Sequence, residues 1–502
     1  MKSQAYDLDE MAIKIDGVSS EELIWQAGKK IADFIKKNFP NSKTITIVVG
    51  KGNNGGDGLS AALHLKNYNY NSAVFSFYDK NMLSKDSLRF YNDCVKNSIS
   101  ITHLSMPPSK YDQSGLVLDS LLGIGFKGQL NKNIANWTKW INKFSVVLSC
   151  DIPTGIDSDT GKISIDSVKA DYTIAMGFPK IGCIIEPGKS YSGQISSVDI
   201  GFPNKVNQLN GIKWNITTDE HIKNTLKPLV RDTHKYKQGK VLILAGSDGM
   251  TGAAYLATMG ALRSGCGIAK TFSPKSLKTI YERKITEGMT ISCEDNGLGC
   301  FSDDNFNQIM DHVEWADVIL IGPGLGKNNV TVELLKKLYK FINKPMVIDA
   351  DGFSPFYDDI SLINKLKNKY VMTPHIGELG NLFDVDTKEL KDDLIGYIEK
   401  ITMPEFSAVV VKGAPSLISD GKYGYINTNG NPGLATAGTG DVLSGVIASF
   451  ISQGYNMLES TVISTHIHGY AADKKSQSIS ERGMIASDLL IEIGKKLSDY
   501  EL

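Results

Sequence analysis

The glycine-rich stretch NPGLATAGTGDVLSG, Asn431 to Gly445, places a carboxylate at the entrance of an apolar helix. Gly438 and Gly440 allow backbone N–H groups to approach a ligand closely, and the following residues carry these amides into the first turn of the helix. This pattern predicts a binding site for phosphate. Asp441 lies in the predicted first turn, where the helix dipole favours its ionised form, so it can accept a proton from a substrate hydroxyl that faces the phosphate. The alternative is an ordinary glycine turn with an acidic first turn.

Two further segments of the same half of the chain support a ligand site. Lys412 follows the apolar run VVV and precedes a glycine turn, which suits the binding of nucleotide phosphates or ribose, although many lysines at strand ends are simply solvated. Gly322 to Gly326 forms another glycine-rich loop at a predicted strand end, where open parallel sheets bind ligands. The three loops together predict a phosphate-binding cleft.

The N-terminal half carries a second set of candidate residues. A predicted strand ends at Gly50, a loop of asparagine and glycine follows, and we predict that a helix begins near Asp57. Asp119 lies in another apolar run and precedes the glycines of GIGFKG, while Asp151 and Thr154 follow a third. Oxygen atoms from three strand ends can therefore converge on a cation. The alternative for each glycine-rich segment is a tight turn into a capped helix.

The elements that position these residues alternate between short apolar strands and helix-length segments in both halves of the chain. Strand candidates in the first half include KTITIVVG, GLVLDSLLG and FSVVLSCDIP, and those in the second include GKVLILAG, DVILIGPG and FSAVVVKG. This alternation predicts an α/β fold with parallel sheets wrapped by helices. A polar stretch between Phe202 and Trp214 separates the two series, so we predict two domains, 1–210 and 211–502.

Composition limits the classes of function. The 54 Lys and Arg residues nearly cancel the 55 Asp and Glu residues, which argues against binding to nucleic acid or to an anionic membrane. The six cysteines form no CxxC pair, so we expect buried free thiols rather than a zinc or disulfide framework. The chain shows neither a signal-peptide pattern at its start nor a run of about 18 apolar residues. We therefore expect a cytoplasmic protein.

The second half resembles the ADP- or ATP-dependent NAD(P)H-hydrate dehydratases of the ribokinase-like group. The motifs that carry the resemblance are IGPGLG, VIDADG, TPHIGE, VVKGAPSLI and NPGLATAGTGDVLSG. The departures are small: Ile376 stands where the family commonly has proline, and Tyr236 lies near a usual glycine. The resemblance implies that ADP or ATP phosphorylates the 6-hydroxyl of a hydrated nicotinamide ring, and that loss of this group restores NADH or NADPH.

The resemblance also implies a role for individual residues of this half. The adenine nucleotide would contact Lys412, Gly413, Ala414, Pro415, Ser416 and Gly440. The hydrate would contact Ala253, Gly324, His375 and Asp441, with Asp441 as the catalytic base. Considered without the family, His375 is equally well explained as a structural histidine after a strand, and Ala253 as a helix-packing residue. Magnesium is expected, because phosphoryl transfer needs charge neutralisation between the phosphates, but the sequence does not identify its ligands.

The first half, from about Leu8 to Phe202, resembles the NAD(P)H-hydrate epimerase domain, which has a Rossmann-like three-layer αβα fold. The implied hydrate-binding residues are Asn53, Asn54, Gly55, Gly56, Asp57, Gly123, Ile124, Gly125, Phe126, Lys127, Gly128, Gln129 and Asp151. The implied potassium ligands are Asn54, Asp119 and Thr154. Thr154 replaces the usual serine of the family, and its hydroxyl keeps the ability to bind the ion. Asp151 would act as general acid or base.

Together the two halves predict a bifunctional enzyme that interconverts the R and S hydrates NADHX or NADPHX and dehydrates the S form. Dehydration would convert ADP to AMP, or ATP to ADP, with release of phosphate. We expect a homo-oligomer. One alternative is a ribokinase-like vitamin kinase, against which TPHIGE and KGAP argue. The other makes the first half a non-catalytic ligand- or RNA-binding module, against which the presence of Asp57, Asp119 and Asp151 argues.

Overall fold

The chain folds into two compact units, Met1–Asn210 and Gly211–Leu502. The structure is a computed structural model, and it describes residues 2–14, 17–42, 44–202, 213–401 and 407–501. Unit 1 has a parallel sheet and unit 2 a mostly parallel one, and each unit has its own buried apolar residues. The mixed α/β architecture predicted from the alternation of strands and helices is confirmed.

Unit 1 is built from seven strands and the helices between them. Its strands are β1 (Thr44–Val49), β2 (Asn71–Ser76), β3 (Ile101–His103), β4 (Leu116–Ser120), β5 (Val146–Cys150), β6 (Tyr172–Met176) and β7 (Gln194–Val198). Its α-helices are α1 (Lys2–Lys14), α2 (Ser20–Asn38), α3 (Asn53–Asn67), α4 (Lys85–Lys96), α5 (Lys132–Ile141), α6 (Ile181–Ile184) and α7 (Lys189–Ser192). A 3-10 helix spans Lys80–Met82.

The seven strands of unit 1 lie in the order β3-β2-β1-β4-β5-β6-β7, and every neighbouring pair is parallel. The chain order reverses beside β1, which pairs with β2 on one side and β4 on the other. Val48, for example, lies opposite Phe75 of β2 and Asp119 of β4. At such a reversal the loops after the two strands diverge and leave a crevice for a ligand. The loops after β1 and β4 carry two of the predicted glycine-rich segments.

Helices cover both faces of this sheet. Ile45 and Ile47 of β1 pack in one apolar cluster with α2, α3 and α4, while Val48 packs on the opposite face with Trp137 of α5. Successive side chains of a strand point to opposite faces, so both residue sets are apolar because both faces are buried. The predicted three-layer αβα arrangement of unit 1 is thus present.

Unit 2 contains a ten-stranded sheet. Its strands are β8 (Lys213–Ile216), β9 (Lys240–Leu244), β10 (Ile268–Pro274), β11 (Met289–Cys293), β12 (Val318–Ile321), β13 (Met346–Ile348), β14 (Tyr370–Met372), β15 (Ala408–Val411), β16 (Ser416–Ser419) and β17 (Tyr423–Asn427). Its α-helices are α8 (Asp219–Thr225), α9 (Thr251–Arg263), α10 (Lys278–Lys284), α11 (Phe306–Val313), α12 (Asn329–Phe341), α13 (Ser354–Asp358), α14 (Ile376–Phe383), α15 (Thr387–Asp392), α16 (Leu394–Ile401), α17 (Thr439–Ser452), α18 (Met457–Ser476) and α19 (Ala486–Ser498). Short 3-10 helices span Lys275–Leu277, Asp303–Asn305, Ala350–Phe353, Ile360–Lys365, Pro432–Leu434 and Glu481–Gly483.

The strands of unit 2 lie in the order β11-β10-β9-β12-β13-β14-β15-β16-β17-β8. The pairs β15–β16 and β16–β17 are antiparallel, and the other pairs are parallel. The order reverses beside β9, which lies between β10 and β12. The loops after β12, β13, β14 and β15 therefore meet at one edge, and these loops carry the motifs found in the sequence.

Two helices of unit 2 pack unusually closely. A Cβ atom on Gly445 of α17 would lie 2.1 Å from the carbonyl oxygen of Ala257 on α9, and one on Gly260 of α9 would lie 2.6 Å from the carbonyl oxygen of Val442. Both distances are far below van der Waals contact, so glycine is required at both positions. The backbone of α9 thereby fixes the first turns of α17.

All six cysteines are buried free thiols, as predicted. Within the described ranges, no helix combines the length and the apolar character needed to cross a membrane.

Candidate active sites

The site of unit 2 is centred on the start of α17. Gly438 precedes this helix with φ of 92°, in the left-handed region that favours glycine, and no side chain caps the helix end. The backbone N–H of Thr439 donates to the carbonyl of Thr436, whereas the next amides, those of Gly440 and Asp441, are available to an anion. Asp441 lies in the first turn, as predicted from the sequence.

The pKa of Asp441 is raised to about 7, which differs from the expectation that the helix dipole holds it ionised. Burial is the largest cause, and the carboxylates of Asp349, Asp351 and Glu378 add to it, while the ammonium of Lys412 opposes it. Burial, together with the neighbouring negative charges, thus outweighs the effect of the helix dipole on this pKa. A carboxyl with this pKa is suited to general base catalysis near neutral pH.

Lys412 is the cation that faces these carboxyls. Its Nζ donates to Oδ1 of Asp349 over 2.8 Å and lies 3.8 Å from Oε2 of Glu378. Thr373 also donates to Asp349, over 2.6 Å. Burial alone would lower the pKa of Lys412, but Asp349 and Glu378 outweigh it and raise that pKa, so the lysine stays charged. Burial also raises the pKa of Glu378.

The residues predicted to bind the nucleotide come together at the turn between β15 and β16. The backbone of Lys412 donates to the carbonyl of Pro374, and the Ser416 hydroxyl donates to the carbonyl of Gly413 over 3.0 Å. Ala414 and Pro415 complete the turn. A Cβ atom on Gly440 would lie 3.3 Å from Nζ of Lys412, so the turn and the start of α17 adjoin each other. The lysine can therefore reach an anion bound at the helix end.

Ala253 and Gly324, two predicted contacts of the hydrate, also adjoin each other. A Cβ atom on Gly324 would lie only 2.8 Å from Cβ of Ala253 in the first turn of α9, and Gly324 has φ of 62°. The next loop residues connect this pair to the acidic cluster, because the backbone N–H of Gly326 donates to Asp351 over 2.8 Å. The residues predicted to contact the hydrate therefore lie near the acidic residues around Lys412.

His375 has a structural role that the sequence left open. It precedes α14, and its Nδ1 accepts from the backbone N–H groups of Gly377 and Glu378 over 3.0 and 3.1 Å. Nδ1 is consequently unprotonated and Nε2 carries the proton, on an exposed ring. The cap explains why a histidine stands here, and the Nε2–H group remains available as a donor. Contact with the hydrate stays a prediction.

The acidic residues Asp349, Asp351 and Glu378 lie within the motifs VIDADG and TPHIGE, but no role for them is predicted from the sequence. Their meeting depends on the adjacency of β13, β14 and β15, which hydrophobic periodicity does not give. A detectable signal was present, since Asp349 follows β13 and Glu378 lies in the first turn of the helix after β14. Carboxylates at the ends of two parallel strands are expected to lie at the same edge of the sheet.

In unit 1, α3 begins at Asn53 rather than near Asp57 as predicted. The residues Asn53 to Asp57 are therefore helical, and Gly52 precedes them without a side-chain cap. Asparagine and glycine favour loops, so the sequence predicts a later start for this helix. Gly55 and Gly56 nevertheless lie in the helix, where neighbouring atoms leave little room for a side chain. A Cβ atom on Gly55 would lie 2.1 Å from the carbonyl oxygen of Gly50. The open helix end suits a phosphate group.

The three predicted potassium ligands surround the backbone of Leu122. Asn54 donates to the carbonyl of Leu122 over 3.0 Å, and its Oδ1 is buried with no hydrogen-bond partner. Oγ1 of Thr154 accepts from the backbone N–H of Leu122 over 3.0 Å and donates to Asp119 over 2.7 Å. Burial raises the pKa of the fully enclosed Asp119, and hydrogen bonds from Thr154 oppose it. The cluster offers several oxygens to a cation.

Asp151 follows β5 in the left-handed region, with φ of 63°. This conformation is strained for a residue with a side chain and persists only where the surroundings hold it. Its backbone N–H donates to Ile174 over 2.8 Å, and its Oδ1 accepts from the backbone N–H of Met176 over 2.9 Å. Oδ1 also accepts from Nζ of Lys180 over 2.5 Å. No role for Lys180 is predicted from the sequence, because it lies 29 residues further along the chain.

Asp57 faces Asp151 from the first turns of α3. Burial raises the pKa of Asp57 well above its ordinary value, the charge of Asp151 adds to the rise, and a long hydrogen bond from the Cys150 thiol opposes it. Asp9 of α1 faces the same group, and burial raises its pKa to about 6, with Lys180 opposing and Asp151 adding. Several carboxyl groups therefore share one ammonium, and the sequence analysis missed the contribution of α1.

The loop Gly123 to Gln129 lies beside these groups. A Cβ atom on Gly123 would lie 3.2 Å from Cβ of Asn54, and one on Gly125 would lie 3.9 Å from the Tyr6 hydroxyl of α1. Gln129 accepts from the Ser164 hydroxyl over 3.1 Å. The other members are Ile124, Phe126, Lys127 and Gly128, of which the last has φ of 82°. In the described part of the chain, no group of three His, Cys, Asp or Glu side chains is arranged to hold a metal ion.

Two family models match the chain. One described as NAD(P)H-hydrate dehydratase matches residues 241–495, and one described as YjeF-related protein N-terminus matches residues 20–182. The first lies within unit 2 and the second within unit 1. The two matches are therefore separate, one in each unit.

Relatives match over nearly the whole length. The bifunctional NAD(P)H-hydrate repair enzyme Nnr of Moorella thermoacetica is 32% identical over 96% of this chain and 93% of its own. The enzyme of the same name from Dictyoglomus turgidum is 31% identical over 93% of this chain and 92% of its own. A crystal structure of the ADP/ATP-dependent NAD(P)H-hydrate dehydratase from Bacillus subtilis, co-crystallised with ATP/Mg2+, covers 58% of this chain and 100% of that chain at 25% identity and a TM-score of 0.50. These similarities do not favour the vitamin kinase or the non-catalytic module.

Proposed function

The chain belongs to the family of bifunctional NAD(P)H-hydrate repair enzymes, and from this membership we propose that each unit carries out one of the two reactions. Unit 1 interconverts the R and S hydrates, and unit 2 dehydrates the S form. The two proposed domains are 1–210 and 211–502. The observation that carries the proposal for unit 2 is the meeting of Lys412, the open end of α17 and Asp441 in one cleft.

The dehydration step follows from these groups. The amides at the start of α17 and Lys412 bind the phosphates of ADP or ATP, while Asp441 accepts the proton of the 6-hydroxyl as its oxygen attacks the terminal phosphorus. The C6–O bond then breaks, phosphate leaves with the bonding electron pair, and loss of a ring proton forms the double bond. The products are the reduced coenzyme, phosphate and the shortened nucleotide. No oxidant or reductant takes part.

Magnesium fits the excess of carboxyl groups in this cleft. The carboxyls of Asp349, Asp351 and Glu378 lie close enough to Asp441 to raise its pKa. The ammonium of Lys412 faces Asp349, Glu378 and Asp441. A bound Mg2+ ion is commonly held by one or two carboxylates together with substrate phosphates and water, so a cage of protein ligands is not required. When bound, the ion would neutralise charge on the phosphates during transfer. We propose that Asp349 and Glu378, which already contact Lys412, contribute the protein oxygens.

The raised pKa of Asp441 predicts the pH dependence of dehydration. The base works only when ionised, so kcat/KM for the S hydrate should fall below pH of about 7, by roughly tenfold per unit. Epimerisation, measured on the same samples, provides the comparison. A dehydration profile that stays flat down to pH of about 5 would contradict a base with this pKa.

For epimerisation we propose inversion at C6 through loss and return of water. The hydroxyl takes a proton and leaves as water, which generates a ring iminium cation, and water then adds to the opposite face. Asp151 removes the proton from the water that adds. One water leaves and one enters, so the redox state of the ring does not change. Asp57 and the loop Gly123 to Gln129 border the hydrate, and the open end of α3 binds a phosphate of the dinucleotide.

Potassium fits the oxygen cluster around Leu122. The buried Oδ1 of Asn54 lacks a hydrogen-bond partner, which would be costly without a ligand, and the enclosed Asp119 carboxyl is contacted by neutral donors. A hard cation prefers oxygen ligands of this kind. We propose that Asn54, Asp119 and Thr154 bind it together with the carbonyl of Leu122. When bound, potassium would supply positive charge beside the hydrate site.

We predict that potassium salts accelerate epimerisation and leave dehydration of pure S hydrate unchanged. Asn54→Ala removes the orphaned oxygen, so the response to potassium should fall by on the order of tenfold. The test compares potassium, sodium and a large organic cation at equal ionic strength. An equal response of the variant and the native protein would remove Asn54 from the site.

The overall proposal is tested with purified protein and mixed hydrate epimers, with and without ADP. With ADP, both epimers should be consumed and the absorbance of the reduced ring restored. Without ADP, the epimers should only equilibrate. Consumption of the S form alone would contradict the role of unit 1. The same preparation, analysed by light scattering after gel filtration, tests the expected homo-oligomer.

A further inference from the structure

Lys180 is buried within unit 1, and its ammonium is fully engaged. Its side chain is 9% exposed, and Nζ donates to the carbonyls of Met176 and Phe178, each over 3.2 Å, in addition to Oδ1 of Asp151. The three N–H groups therefore have three acceptors. A lysine bound in this way cannot readily exchange its protons with a substrate, so its effect must pass through Asp151.

The electrostatic surroundings of Asp151 make this ammonium important. From α3 the carboxyl of Asp57 faces it, and from α1 the carboxyl of Asp9 does so, while the neighbouring thiols are those of Cys150 and Cys183. Burial raises the pKa of both Asp57 and Asp9. Carboxyl groups that crowd together in a partly dry site cannot all be ionised unless a cation compensates them. Lys180 directly contacts the carboxyl of Asp151, to which its Nζ donates a hydrogen bond.

We propose that Lys180 is the positioning residue of the epimerase site and that it holds the carboxyl of Asp151 aimed at the hydrate. The proposal rests on the epimerase function proposed for unit 1. The strained backbone of Asp151 supports it, since the bond from Lys180 and the bond from the Met176 amide both end on Oδ1 and leave Oδ2 for the substrate.

The proposal predicts different effects of two substitutions of Lys180 on epimerisation. Lys180→Met removes the ammonium that holds the carboxyl of Asp151 in place, so kcat should fall by about tenfold to hundredfold with KM nearly unchanged. Lys180→Arg retains the charge with a different shape and should recover part of the lost kcat.

The experiment measures rates of R-to-S conversion across hydrate concentrations with the full-length protein, using the exposed Lys169→Met as the matched control. Thermal unfolding of each variant tests whether the fold is retained. The proposal is overturned if Lys180→Met and Lys180→Arg lose activity equally, or if the loss falls on KM. Absence of epimerisation in the native protein would instead refute the proposed function itself.

Discussion

Replacing Asp441 with asparagine should abolish dehydration while epimerisation continues at its native rate. Asparagine keeps the size and the hydrogen-bonding oxygen of the side chain but cannot accept the proton of the 6-hydroxyl. Loss of a general base is expected to lower kcat by about 10²- to 10⁴-fold. The measurement is restoration of the reduced ring from pure S hydrate with saturating ADP, alongside interconversion of the two epimers without nucleotide.

This substitution should not unfold unit 2. Burial raises the pKa of Asp441 to about 7, which means that the folded state disfavours the ionised carboxyl, and a neutral side chain removes that cost. The exposed Asp304→Asn of the same unit is the matched control. Dehydration retained by Asp441→Asn would remove Asp441 from its role as base, and loss of both activities would argue against independent sites.

Replacing Asp151 with asparagine should have the reciprocal effect. The carboxylate that Lys180 and the Met176 amide hold in place is lost, so epimerisation should fall by at least about a hundredfold. Unit 2 keeps its groups, and dehydration of the S hydrate should proceed normally. With mixed epimers and excess ADP, the native protein should restore the reduced ring completely, whereas the variant should stop once the S fraction is exhausted.

The design of this second test separates chemistry from folding. Asparagine can still accept from Lys180 and Met176, so the local hydrogen bonds can persist, and Asp199→Asn at an exposed position is the matched control. Adding the Asp441→Asn protein to the stalled reaction supplies epimerase activity in trans and should restart consumption of the remaining hydrate. If Asp151→Asn consumes both epimers at the native rate, Asp151 is not the base.

The sequence predicted the loops of the site better than the contacts between them. Glycine patterns and strand ends located the start of α17, the turn after β15 and the loop after β12, because local backbone requirements select those residues. The sequence does not predict the raised pKa of Asp441, because burial in the folded unit causes most of the rise and Asp349, Asp351 and Glu378 add to it from other parts of the chain. Charge effects of this kind can be predicted only when the order of the strands in the sheet is known.

Some strands of the fold could be predicted from the sequence and others could not. Strands with continuous apolar runs, such as β9 and β12, were identified, whereas β10 was not, because IAKTFSP mixes polar and apolar residues. β8 begins at the predicted domain boundary, and it pairs with β17, which lies much later in the chain. In unit 1 the contribution of α1 could not be predicted, because the electrostatic influence of Lys180 on Asp9 arises only through tertiary packing.

The glycine contacts between α9 and α17 also join the two helices that carry Ala253 and Asp441. Ala253, proposed to border the hydrate, lies on α9, and Asp441, the proposed base, lies on α17, so the spacing of these helices would set the separation between the hydrate and the base. Bulkier residues at Gly260 or Gly445 should thus yield folded but catalytically misaligned enzymes, in which substrate is captured without turnover. A design that alters coenzyme selectivity should therefore keep Gly260 and Gly445 and change residues of the loops instead.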